Sequence, residues 1–148
     1  MRISFLAVAM CLVLSTAAAL AATAPLAITP DKVHWTAGSG DTAGAEVAVL
    51  TGDPAKPGPY VMRLKLPDGY KFAPHFHGST EYLTVIQGTF LVGVGDKPDP
   101  AKMTALPAGS FGTMPASIHH YAMAKGETIV QLSGSGPFTM TMVQHMKM

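Results

Sequence analysis

Three side chains able to hold a transition metal lie close together in the stretch GYKFAPHFHGSTEYLTVIQG, residues 69 to 88: His75, His77 and Glu81. Residues two apart on a β-strand share a face, so His75 and His77 project the same way. Gly78-Ser79-Thr80 reads as a tight turn that returns the chain. Glu81, opening the next strand, then reaches the same point. Two imidazoles and a carboxylate converging there suit a divalent transition metal. A fourth ligand is expected from the His119-His120 pair. Adjacent strand residues face opposite ways, so only one of the two can point at the metal. Ala122 and Ala124 would share the face of His120 and leave room for a ligand. His119 would share the other face with Tyr121 and Met123. Glu81 has Leu83 and Val85 as same-face neighbours, and a carboxylate on such a face is costly unless it is paired or coordinating.

The rest of the chain must position these groups. Its 148 residues suit one domain. Few charges and a high apolar content favour a packed core over disorder. Arg2 is followed by the uncharged run Ile3 to Ala24, which closes on Ala19-Leu20-Ala21 and Ala22-Thr23-Ala24, both small-x-small patterns. Residues 1–24 therefore read as a secretory signal peptide, and the mature protein as periplasmic or secreted. Retention as an anchor is disfavoured, because the run is near the lower length limit for a span and no charged stop-transfer cluster follows. Cys11, the single cysteine, lies inside that run, which leaves no disulfide framework and no thiolate ligand. Arg2 accounts for one of the ten Lys/Arg, so from Pro25 onward nine basic residues balance nine acidic ones. Nothing in that balance suits nucleic acid or an anionic membrane as partner.

Residues 25–45 read as an irregular lead-in, with Val33 to Trp35 as a short edge strand; His34 beside Trp35 is more typical of a filler than of a ligand. Strands are expected at Glu46–Thr51, Tyr60–Leu66, Tyr70–His77, Glu81–Ile86, Thr89–Val94, Thr104–Leu106, Phe111–Met114, Ile118–Ala124, Glu127–Leu132 and Phe138–Val143. Turns are expected at Gln87-Gly88, Lys125-Gly126 and Ser133–Pro137. The prolines of Lys56–Pro59 argue for a loop. Gly93 and Gly95 suggest a bulge or bend. No stretch after the signal has helical period. Many short strands separated by Gly/Pro turns give an all-β sandwich or barrel over residues 46–143, with a tail at 144–148.

These residues resemble the cupin family. Its first motif is glycine, five residues, His-x-His, three or four residues, glutamate, six residues, glycine; Gly69, His75, His77, Glu81 and Gly88 meet every position. Its second motif is met by Gly109, Pro115 and His120, with Ser117 standing for a glycine and Ala124 for a frequent asparagine. A closer likeness is to small secreted single-domain cupins of unassigned substrate. The resemblance implies a single-domain double-stranded β-helix, or jelly-roll barrel. It also implies His75, His77, Glu81 and His120 as the metal ligands, and a homodimer formed through edge strands. Cupins include dioxygenases, isomerases, decarboxylases, storage proteins and ligand sensors, so the fold leaves the chemistry open.

Six-coordinate Fe, Mn, Ni or Co, or a copper ion, would keep positions open for substrate or dioxygen. Tetrahedral zinc would be saturated by four protein ligands and structural. Three functions stand side by side: a metal-dependent enzyme of dioxygenase type on a small molecule, a metal-containing binding module without turnover, and a structural metal domain. Because imidazoles bind metal unprotonated, loss is expected as pH falls through about 6. No phosphate loop, dinucleotide fingerprint or serine nucleophile elbow is present. Tyr82, Gln131 and Phe111 are candidates to assist catalysis. Met140, Met142, His145, Met146 and Met148 form a Met/His-rich end that suits Cu(I), although Met140 and Met142 also alternate as inward strand residues would.

Overall fold

The computed structural model describes residues 26–143. The described residues form nine strands: β1 (Thr36–Ala37), β2 (Glu46–Thr51), β3 (Gly58–Leu66), β4 (Lys71–Phe76), β5 (Glu81–Val94), β6 (Thr104–Pro107), β7 (Phe111–Met114), β8 (His120–Gly136) and β9 (Thr141–Met142). All pairings are antiparallel. The expected all-β jelly-roll barrel is what the chain forms.

The architecture rests on β5 and β8, which are long enough to serve two sheets each. Residues 128–136 of β8 lie between β3 and residues 82–87 of β5. Residues 120–125 of β8 lie between β4 and residues 89–94 of β5. Between these halves the register shifts at Gln87, and Gly88 and Gly126 adopt φ of 75° and 72°. A Cβ at Gly88 would run into the main chain of Glu127 and Thr128, so only glycine lets the strands bend together there. The buried Thr128 hydroxyl lies 3.0 Å from the Gly126 carbonyl and 3.2 Å from that of Thr89, satisfying polar groups at the bend. Gln87-Gly88 and Lys125-Gly126, expected as turns, are thus bends within continuous strands.

Side chains alternate along β3: Tyr60, Met62, Leu64 and Leu66 are buried, as are Val130 and Leu132 beside them on β8 and Leu83 and Val85 on the next strand, β5. Each such aliphatic side chain contributes roughly 1.5–3 kcal/mol by leaving water. On the outer face Arg63 Nε donates to Gln131 Oε1 at 3.1 Å, across the β3–β8 pairing.

Other boundaries move for identifiable reasons. The edge strand is Thr36–Ala37 rather than Val33–Trp35; Trp35 instead lies under the Lys65 ammonium, which bridges to Glu46 at 2.9 Å. Pro59 lies inside β3, where it pairs with Ser135 on one side while β2 reaches only to Val61 on the other, so its missing N–H costs no ladder bond. Ser133–Gly136 extends β8 instead of turning. The expected Phe138–Val143 strand shrinks to Thr141–Met142, paired with Phe76 and His75. Gly93 marks no bulge: a Cβ there would enter the ring of Tyr121, which takes the face opposite His120, as expected, and is buried there. The Tyr121 hydroxyl accepts from Asp99 N at 3.0 Å and pins residues 95–103 over that face.

Candidate metal centre

His75 on β4 and His120 at the start of β8 are direct cross-strand partners. Their ring centroids are 4.2 Å apart, and His77, just beyond β4, has its ring 5.0 Å from each. One ring nitrogen from each of the three lies within 4.8 Å of the others, and all three residues are buried.

The orientation of the rings is set by main chain. His75 Nδ1 is 2.7 Å from the Ala73 carbonyl, His77 Nδ1 is 2.8 Å from that of Thr139, and His120 Nδ1 is 3.0 Å from that of Ile118. A carbonyl only accepts, so each Nδ1 carries the proton and donates it. Each Nε2 keeps its lone pair. Carbonyl-tethered imidazoles are the usual support for metal-ligating histidines. His77 Nε2 is buried with no hydrogen-bond partner among the described residues. Such an orphan is costly, and a metal ion there would satisfy it. Burial disfavours the imidazolium in all three, lowering their pKa values, that of His75 to about 4. They are therefore held in the form that binds metal, and expected metal loss moves below the pH of about 6 read from ordinary histidine values.

Glu81 opens β5 with its carboxylate buried, Oε2 being 3.7 Å from His77 Nε2. It stands at the edge of the histidine cluster, beyond the compact group of three. Burial raises its pKa to about 7. It raises the Tyr60 phenol to about 12, with the Glu81 charge adding to the effect.

The remaining candidates are elsewhere. His119 Nδ1 faces Asp96 Oδ1 at 2.6 Å on the surface, and its ring stacks on Phe76. Tyr82 and Phe111 stack on each other on the outer face and are exposed, and Gln131 holds Arg63 there, so none of the three reaches the cluster. His34 is exposed. Met140 packs partly buried against the core, whereas Met142 is exposed rather than inward. His145, Met146, Met148 and the expected signal peptide, residues 1–24, lie outside the described residues.

Sequence reasoning missed the segment that follows β8. Phe138 packs its ring 5.0 Å from that of His77, Thr139 supplies the carbonyl for His77 Nδ1, and its Oγ1 accepts from Gly78 N at 3.2 Å. Over the cluster lies a small cavity of about 40 Å³, open to solvent on one side, walled by Phe72, Leu83, Phe90, Met114, Phe138 and Met140.

A family model described as a domain of unknown function, DUF4437, matches residues 27–144. The chain belongs to the DUF4437 family, and its fold is a cupin. Solved structures similar to this cupin include a putative acetylacetone dioxygenase from Methylibium petroleiphilum, with 21% identity, 80% of each chain covered and a TM-score of 0.62. The polyketide cyclase RemF from Streptomyces resistomycificus has 13% identity over 80% of this chain and 85% of its own, with a TM-score of 0.64. KdgF from Halomonas has 18% identity over 74% and 92%, with a TM-score of 0.56. At these identities the likeness is one of fold. No curated protein matches the chain.

Proposed function

We propose that this cupin is an exported, metal-dependent enzyme of dioxygenase type acting on a small molecule, with His75, His77, His120 and Glu81 holding the metal. The observation that carries the reading is the set of three buried Nε2 lone pairs converging beneath a cavity, each fixed by a main-chain carbonyl behind it. The similar barrels of the putative acetylacetone dioxygenase and of a salicylate 1,2-dioxygenase from Pseudoaminobacter salicylatoxidans support it. Export is supported by the apolar run after Arg2 with its small-x-small ends.

Bound there, an Fe, Mn, Ni, Co or Cu ion would supply Lewis acidity, and a redox-active one also dioxygen chemistry. The chain's own contributions are distinct. Ala73, Thr139 and Ile118 hold the imidazoles in one tautomer and one orientation. Glu81 keeps a proton on its carboxyl up to about pH 7 and gives it up when it binds a cation. The aromatic and aliphatic walls exclude water from the reacting groups.

A metal-dependent binding module without turnover is the second reading. It is favoured by the cavity wall, which among the described residues holds no titratable side chain beyond the three histidines and Glu81. The test is elemental analysis of protein recovered from its own compartment, followed by dioxygen uptake with a β-diketone or an aromatic diol. Bound metal with uptake supports the enzyme, bound metal without uptake the binding module. A metal-free protein that takes up none on incubation ends both readings.

A further inference from the structure

Resting on the metal centre just proposed, we infer that its cavity selects a compact ligand with a hydrocarbon body and at most one negative charge, carried on the oxygen atoms that meet the metal. The wall is made of hydrocarbon and thioether groups apart from the histidines, Glu81 and Thr42. No lysine or arginine lines it among the described residues. A phosphate or a second carboxylate entering would lose its water and meet no compensating cation, a cost of several kcal/mol for an unpaired charge.

The charge at the floor sets the allowance. Three neutral imidazoles and one carboxylate around a divalent ion leave one positive charge. That balances a single anionic donor such as an enolate or phenolate. The cavity is small, about 40 Å³, which keeps the ligand compact. Sugar nucleotides, phosphorylated sugars and polycarboxylates are thereby disfavoured. Enolisable diketones and phenolic or diol-bearing hydrocarbons are favoured. Met140 stands in the cavity wall from the segment after β8, only partly buried, and so is the place where one substitution would change this preference.

Hydroxamates test this because one monoanionic donor group can carry different bodies. Nickel-loaded protein, which avoids turnover, is titrated calorimetrically with acetohydroxamate, benzohydroxamate, 4-nitrobenzohydroxamate and 4-carboxybenzohydroxamate. Benzohydroxamate is expected to bind about tenfold or more tighter than acetohydroxamate, from the apolar area that the ring buries. The 4-carboxy compound is expected to bind about tenfold or more weaker than the 4-nitro compound of the same shape. In Met140→Lys, checked for nickel content and thermal unfolding, the carboxylate penalty should shrink or reverse. Nickel-loaded wild-type protein that gains nothing from the ring, or takes carboxylate as well as nitro, overturns the inference and leaves the metal centre standing. Failure to hold nickel overturns the metal centre itself, and the inference with it.

Discussion

Glu81 offers the sharpest test of how the site is built, because the carboxylate that would help hold a metal works against the metal-free fold. Its folded pKa of about 7 lies above the ordinary value of 4.5, and the cause is burial. A raised carboxyl pKa leaves stability untouched below the unfolded value. It removes stability as pH rises from about 4.5 to 7, and the full cost is present above 7. At 1.36 kcal/mol for each pH unit, that cost is about 3 kcal/mol. Glu81→Gln keeps the shape and removes the ionisation. Both a neutral carboxyl and an amide must be desolvated, so the comparison between two pH values isolates the charge. Chelator-treated Glu81→Gln should therefore gain about 3 kcal/mol over wild type on moving from pH 4 to pH 8, roughly 10 °C in midpoint for a domain of this size. Thermal unfolding followed by circular dichroism at both pH values reads it directly. Adding the metal should reverse the order, since wild type regains through the carboxylate what the variant cannot. A Glu81→Gln effect equal at both pH values, or a less stable variant at pH 8 without metal, would refute the reasoning.

Metal retention should follow the depressed histidine values rather than ordinary ones. Burial keeps the imidazoles neutral below 6.5, with His75 neutral to about 4, so at the imidazoles protons compete with metal less than ordinary histidine values imply, while Glu81 yields its proton to the cation. Metal content after dialysis should hold from pH 7 to about 5.5 and fall toward pH 4; half-loss near pH 6.5 would contradict it. Gly93→Ala should cost about 2 kcal/mol or more in chemical denaturation, since the new methyl enters the space of the Tyr121 ring. A cost under about 0.5 kcal/mol would mean that Tyr121 moves aside freely.

The histidine cluster was legible because its information is local: a two-residue period puts His75 and His77 on one face, and Ala122 with Ala124 leaves space beside His120. Strand continuity was less legible. A glycine at positive φ serves a hairpin turn and a bend between sheets equally well, so Gly88 and Gly126 read as turns until the pairing of β5 with β8 is seen. The burial of Tyr121 on the face opposite His120 was not legible, because nothing nearby in sequence announces that residues 95–103 fold back over it. Tyr82 and Phe111 suggested chemistry by residue type, but each takes the strand face opposite the cluster. Phe138 and Thr139 were unreadable, since their roles depend on a contact with His77 made across the fold.

That contact has a bearing on biosynthesis. His77 is held by a carbonyl 62 positions further along the chain. A ribosome that has delivered β1 to β7 has released two of the imidazoles but not His120, nor the strap that aims His77. Partly emerged chains would thus offer only a loose, poorly aimed pair of donors to whatever ions they meet. Selective loading would wait until residue 139 has docked, in the compartment where the barrel closes.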